Sequence, residues 1–443
     1  MSIQLFIVCA YIALLFGISF WVKKRADAGS TAFLLASRKL TTLLVAVNVT
    51  GLAVGAASTV GVAQRAFGVG LSAGWYNGAW SIGAIGLIII MGVITSLQYM
   101  AGGAILSSLL PNIFTFKTGM IMSAVVFIGI TLIGGLWSSG LSNIVSVTLI
   151  YVGIIYSATQ SVANVGGWDA MVAKLPNAEI MASPIAGLPL AVIIGNIIVM
   201  ITQTITAQGP VQFACAAENA KSARNGYLLA GLMIFPVGFI CAVVGVVAKV
   251  MFPEMPMSQA ALAMPKVIMS LDPLAGGVTL AAMWAADVST ACAILMGTAT
   301  LFTQDIYKRF INPGVAEAKA VVISRMAVVI VGLVTLWFAF NAAGIVRTMI
   351  AGLSMTTALT CVFFFTIWAP SVCRRSSAFW TTLVGIIGMV LWYMPGSPIQ
   401  GLKPVFANEV IYFEWPICIA TFLLVSVLDK EKIKEVVMVE EKD

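Results

Sequence analysis

Apolar residues run along this chain in long blocks, and polar positions gather in the short stretches between them. About thirteen blocks approach or exceed the ~20 residues an α-helix needs to cross a bilayer: 3–22, 41–66, 71–92, 94–111, 118–137, 141–162, 187–208, 226–250, 276–302, 320–341, 346–369, 377–396 and 409–428. The pattern predicts an all-α polytopic membrane protein with one transmembrane domain over 1–428. The first block precedes Lys23-Lys24-Arg25 and lacks a basic leader and a cleavage site, so it reads as an uncleaved helix with its N-terminus outside. EMPMSQAALAMPKVIMSLDP, between the eighth and ninth blocks, reads as a short amphipathic helix outside the membrane. Residues 429–443 read as a charged, fraying cytoplasmic tail.

Composition narrows this further. Of 443 residues 60% are hydrophobic and 9% charged, and mean hydropathy is +1.03. The chain has no histidine, which removes imidazole metal ligands and histidine proton relays. Its seven cysteines are scattered without a CxxC pair and read as small apolar residues. Net charge is +7, but the basic residues sit in short loops, which indicates topology and not nucleic-acid binding. With thirteen spans, Arg65, Lys117, Lys174, Lys249, Lys266, Arg347 and Lys403 fall outside and the other 17 of 24 basic residues fall inside. The 51 uncharged residues from Ala66 to Phe116 must cross twice for that count to hold, with a tight turn near Gly92.

The stretch Gly276–Phe310 carries the densest candidate chemistry. Ala286, Ser289 and Thr290 stand at i, i+3 and i+4 on one helix face, where a freed carbonyl and two hydroxyls offer a Na⁺ part of an all-oxygen shell. Hydroxyls in membrane helices also bond back to their own carbonyls, so spacing leaves both readings open. Asp287 reads as the only carboxylate within a span core and is a functional candidate by that fact. It can supply charge to the ion face, carry a proton, or sit protonated in a packing contact. No nucleophile–base pair, metal cluster or phosphate loop appears in the spans, so an enzyme is not indicated.

Four stretches together resemble the sodium/solute symporter family of bacterial proline, pantothenate and sugar symporters. They are Thr31–Arg38 (TAFLLASR), Ala57–Gly61 with Phe67–Leu71, Gly134–Trp137 on to Asn143, and Ala286–Phe310 ending in TQDIYKRF. The resemblance implies a leucine-transporter-like fold of two inverted five-helix repeats, about 41–162 and 187–369, with helix 3–22 before and 377–396 and 409–428 after. It places a Na⁺ site at the backbone of Gly51 and Val54 and at Ala286, Ser289 and Thr290. Gly51 with Gly55 is also a plain GxxxG packing face.

This chain departs from the family pattern twice. The charged segment between the second and third core helices is missing near Gly92, and Asn143 stands where sodium-coupled relatives often carry an aspartate. The second departure points to one Na⁺ per solute. Solute candidates are Ser58 and Thr59 after the expected helix break, Trp75 and Asn77, and Gln203 and Thr206 before Gly209-Pro210. The competing reading makes Trp75 and Tyr76 interfacial aromatics and the threonines packing residues.

The expected activity is Na⁺-coupled symport of a small polar organic solute, an amino acid, carboxylate or vitamin-like acid, across the cell membrane by alternating access. The implied partners are that solute, Na⁺ and the lipid bilayer, with no nucleic acid or obligate protein partner. H⁺ coupling through Asp287 and a non-transporting solute sensor are the alternatives.

Overall fold

A computed structural model describes residues 3–55, 57–86, 115–204, 206, 208–340 and 353–429. The described residues form helices joined by turns, with no β-strand and one isolated bridge between Leu40 and Ala217. Contacts divide the chain into two compact units, 1–350 and 351–443, where the apolar pattern alone predicts a single domain. The division falls inside the expected second repeat. Expected span 94–111, the turn near Gly92 and the charged tail beyond Asp429 lie outside the described residues.

The first unit holds α1 (Ile3–Ala26), α2 (Ser30–Leu35), α3 (Thr42–Ala53), α4 (Val62–Val69), α5 (Trp75–Gly86) and α6 (Phe116–Asn164). After these come α7 (Leu190–Thr204), α8 (Gln208–Cys215), α9 (Ala220–Met251), α10 (Ala263–Met269), α11 (Pro273–Leu301) and α12 (Glu317–Phe340). Among the described residues of the whole chain, six helices are long and apolar enough to cross a membrane, or eight when two bent pairs each count as one span. The bent pairs are α3 with the segment from Ala57, turned by 57°, and α7 with α8, turned by 49°. Both fall where a broken helix is expected.

The 49 residues of α6 would extend about 73 Å as a straight rod, more than twice the ~30 Å hydrocarbon core. Gly135, at φ 53° and ψ −146°, interrupts it at the expected turn. The turn allows the Phe33 carbonyl of α2 to approach within 2.6 Å of where a Cβ on Gly135 would stand.

Helix α11 is the centre of this unit. Asp272 caps it, its carboxylate accepting from Leu274 N at 3.0 Å and Ala275 N at 3.1 Å, and Pro273 takes the first turn, where no donor is needed. Every residue from Thr279 to Gly297 is buried. A helix apolar on all faces can be stable only if neighbours enclose it, and α1, α3, α6, α8 and α12 do so. Small residues set the spacing: Gly153 of α6 abuts Ala282, and Ser157 bonds Thr279 at 2.6 Å.

At one end of α11 the charges pair. Lys308 meets Glu317 at 3.0 Å, Glu317 accepts the Ser30 backbone N–H at 2.9 Å, and Arg325 meets Asp27 at 2.5 Å. Gln212 of α8 ties this corner together by donating to the Leu34 carbonyl and to Thr300. The segment expected as an amphipathic helix outside the membrane is α10, whose Ala263, Met264, Val267 and Ile268 are buried in contacts with α4, α9 and α11.

The second unit contains α13 (Thr357–Trp368), α14 (Ser377–Tyr393) and α15 (Val410–Leu428). Gly385 permits close contact with Ala358 and Cys418, and Phe365 stacks on Phe422 at 4.3 Å. Cys361, Cys373 and Cys418 are free thiols packed as apolar residues, as their scatter suggests. One correction arises here. Asp287 is not the only acid within a span, because Glu414 of α15 is 1% exposed.

Candidate functional site

Helix α3 stops where its hydrogen-bond ladder fails. Val54 takes φ −93° and ψ 64°, and its N–H closes the last turn on the Thr50 carbonyl at 2.8 Å. The final carbonyls of a helix have no intrahelical donor and must find partners elsewhere. Here side chains from other segments supply them.

From α11, Ser289 Oγ lies 2.8 Å from the Gly51 carbonyl and 2.8 Å from the Ala286 carbonyl. Thr290 Oγ1 lies 2.7 Å from the Gly51 carbonyl and 3.1 Å from that of Leu52. Residues some 238 positions apart thus bring carbonyl and hydroxyl oxygens together in a buried layer. The structure unites Gly51, Ala286, Ser289 and Thr290, with Val54 closing the same run of freed carbonyls. A neutral all-oxygen donor set of this kind suits a hard monovalent cation stripped of water.

Ser58 and Thr59 bond within the broken segment. Ser58 Oγ donates to the Ala53 carbonyl at 2.5 Å and Thr59 Oγ1 to that of Gly55 at 3.1 Å. Their hydroxyl hydrogens satisfy carbonyls at the break, and their oxygens keep lone pairs as acceptors.

Asp287 is 0% exposed, and neither carboxyl oxygen has a hydrogen-bond partner among the described residues. It follows Ala286 directly and precedes Thr290 by three positions, next to the ion face.

Several buried amides also lack partners. Asn77 is 0% exposed, packs against the backbone of Gly238 on α9, and leaves both amide atoms unbonded. Gln203 leaves its Oε1 free while Nε2 contacts Met200 Sδ at 3.1 Å. Trp75, half-buried, meets Phe235 and Phe239 edge-on at 6.3 and 5.9 Å, and its indole N–H is unpartnered. Thr206 sits in the turn between α7 and α8. Thr204 anchors α7 to α5 by donating to the Gly83 carbonyl at 2.7 Å.

Two further groups were not singled out from sequence. Gln64 Oε1 on α4 and Asn196 Nδ2 on α7 are buried without partners. Asn196 interrupts the apolar run from Leu190 to Ile201, a signal that a polar residue in a membrane span always carries.

Residues 79–385 match the family model described as "Sodium:solute symporter family". The chain is 25% identical to sodium/glucose cotransporter 4 of Danio rerio, over 95% of this chain and 77% of that protein. It is 24% identical to the sodium/glucose cotransporter of Vibrio parahaemolyticus, over 74% and 73% respectively. The fish alignment runs over 513 positions, more than the 443 residues here, so that relative carries stretches without a counterpart in this chain.

A solved structure of a Na⁺-coupled sialic acid symporter, substrate-bound and outward-open, superposes with a TM-score of 0.77 at 13% identity, covering 98% of this chain and 100% of that one. At that identity the likeness establishes the fold, the leucine-transporter-like one expected from the motifs. With the family model matched over more than half its length, this chain belongs to the sodium:solute symporter family and is a membrane transporter, not an enzyme, that moves its solute with Na⁺.

Proposed function

We propose that the co-transported Na⁺ binds between the broken end of α3 and the middle of α11, held by the carbonyls of Gly51, Val54 and Ala286 and the hydroxyls of Ser289 and Thr290. The meeting of Ser289 and Thr290 with the Gly51 carbonyl carries this reading. The donor set is neutral, so one unit of charge enters with each ion. One charge at 100 mV contributes about 2.3 kcal/mol and a tenfold gradient about 1.4, enough for roughly several-hundred-fold accumulation with one Na⁺. The N-terminus lies outside and the C-terminus in the cytoplasm on this reading, supported by the bias of lysine and arginine.

Asp287 supplies negative charge beside that site, in place of the one Asn143 lacks. Its unpartnered carboxyl supports this role, since an acid with no structural bond in a membrane helix needs another reason to be there. Asp287→Asn is expected to raise the Na⁺ concentration for half-maximal uptake about threefold to tenfold. An unchanged value would remove Asp287 from the ion site.

For the solute, we read Asn77, Gln203, Gln64 and the Trp75 indole as its contacts. Amides offer donor and acceptor together, which matches a neutral molecule rich in hydroxyls better than the acidic solutes expected from sequence. Relatives named as glucose cotransporters support a sugar or polyol class. The test is uptake into proteoliposomes of labelled sugars, polyols, amino acids and carboxylates, with and without a Na⁺ gradient. Sugar or polyol uptake should dominate, and Asn77→Leu should cut it at least tenfold at sub-saturating solute. Uptake confined to acids would overturn the class.

A further inference from the structure

Asn48 of α3 and Asn143 of α6 face each other next to Gly51, each 0% exposed. Asn143 Nδ2 donates to Asn48 Oδ1 at 3.0 Å, and Asn48 Nδ2 donates to the Leu44 carbonyl of its own helix at 2.6 Å. All three head-group atoms of Asn143 lie 3.0–3.2 Å from where a Cβ on Gly51 would stand. Gly140, nearly one turn before Asn143, keeps α6 close, its own missing Cβ lying 3.2 Å from Asn48 Nδ2. Asn143 Oδ1 has no hydrogen-bond partner among the described residues.

These contacts form a chain with one direction. An amide presents a donor at one end and an acceptor at the other, so the bond to Asn48 decides which way Asn143 points. Its Nδ2 goes to Asn48, its Oδ1 takes no part in that bond, and the head group as a whole packs against Gly51. Gly51 is three positions after Asn48 on the same face of α3, at the last full turn before the ladder ends. The residue whose carbonyl receives Ser289 and Thr290 is therefore packed at its Cα against the Asn143 head group.

We propose that Asn48 is a positioning residue for the ion: it orients Asn143, and through Asn143 it holds the Gly51 carbonyl at the angle Na⁺ requires, without touching the ion. This rests on the Na⁺ site proposed above. An amide pair that merely joined two membrane helices would affect stability and leave ion affinity alone.

The test uses full-length protein carrying Asn48→Ala, Asn143→Ala and both together, with Ser289→Ala as control. Two quantities are read: Na⁺ half-saturation of uptake at saturating solute, and the rise in Tm that Na⁺ gives the purified protein. Asn48→Ala should raise half-saturation about fivefold to tenfold with the maximal rate within about twofold. Asn143→Ala should do the same, and the double variant should be no worse than either. Should Asn48→Ala not fold, Asn48→Ser is measured by the Na⁺-induced Tm shift, which should shrink.

Unchanged Na⁺ affinity together with a lower Tm in Na⁺-free buffer overturns the inference, as do effects that multiply in the double variant. If Ser289→Ala moves Na⁺ affinity and Asn48→Ala does not, this inference fails alone. If Ser289→Ala does not move it either, the ion site fails and takes this inference with it.

Discussion

Replacing Ser289 with alanine and Thr290 with valine together should raise the Na⁺ concentration for half-maximal uptake at least about thirtyfold, with folding retained. Hydrogen bonds and dipole contacts to a charged group are worth about 1.5–3 kcal/mol each, and the double change removes two of the five proposed oxygens. Alanine and valine keep the buried volume close to the original, but they leave the Gly51 carbonyl without these donors, so Tm is read alongside Na⁺ dependence. The expected pattern is a shift in Na⁺ dependence with solute affinity recovered at high Na⁺, because the ion and solute bind cooperatively. Isotopic Na⁺ binding to the purified variant gives a second measure. Wild-type Na⁺ dependence in that variant would show that the two hydroxyls serve only to tie α11 to α3.

Gly135→Ala should abolish most of the folded protein. The backbone at φ 53° and ψ −146° is open to glycine and strained for any other residue, at about 1–3 kcal/mol. The new methyl would stand 2.6 Å from the Phe33 carbonyl and 2.7 Å from the Phe33 ring, so α2 would have to move. Segment α2 cannot move freely, because Gln212 and Glu317 both bond it. Overpacking adds roughly another 1–3 kcal/mol, a total comparable to much of the stability of an ordinary domain. Size-exclusion profiles and Tm in detergent are the measurements. A monodisperse variant within a few degrees of wild type would mean that the turn accommodates a side chain.

The solute contacts show where residue order is silent. The structure leaves the Asn77 amide, Gln203 Oε1 and Gln64 Oε1 buried without partners among the described residues, and nothing in its place along the chain singles out Gln64. A glutamine in the second half of a broken helix looks ordinary in sequence, and becomes informative once its carbonyl is known to be buried and unbonded. For Ser58 and Thr59 the structure adds a partner that residue order does not give, the carbonyls freed beside them.

Properties set by near neighbours were legible from the residues in order. The apolar runs established the membrane class and most helix positions, and Gly134-Gly135 marked the turn in α6. Each depends on contacts within a few residues. The ion face is different, because Ser289 and Thr290 serve it only if Gly51 arrives on their side of α11 at 2.7–2.8 Å. Spacing alone leaves those hydroxyls as likely to bond their own helix, and Ser289 does that as well. Which carbonyl meets which hydroxyl, and that Asn48 steers Asn143 behind them, was decided by how α3, α6 and α11 pack. That packing depends on the summed fit of many distant side chains, which no short window of the chain contains.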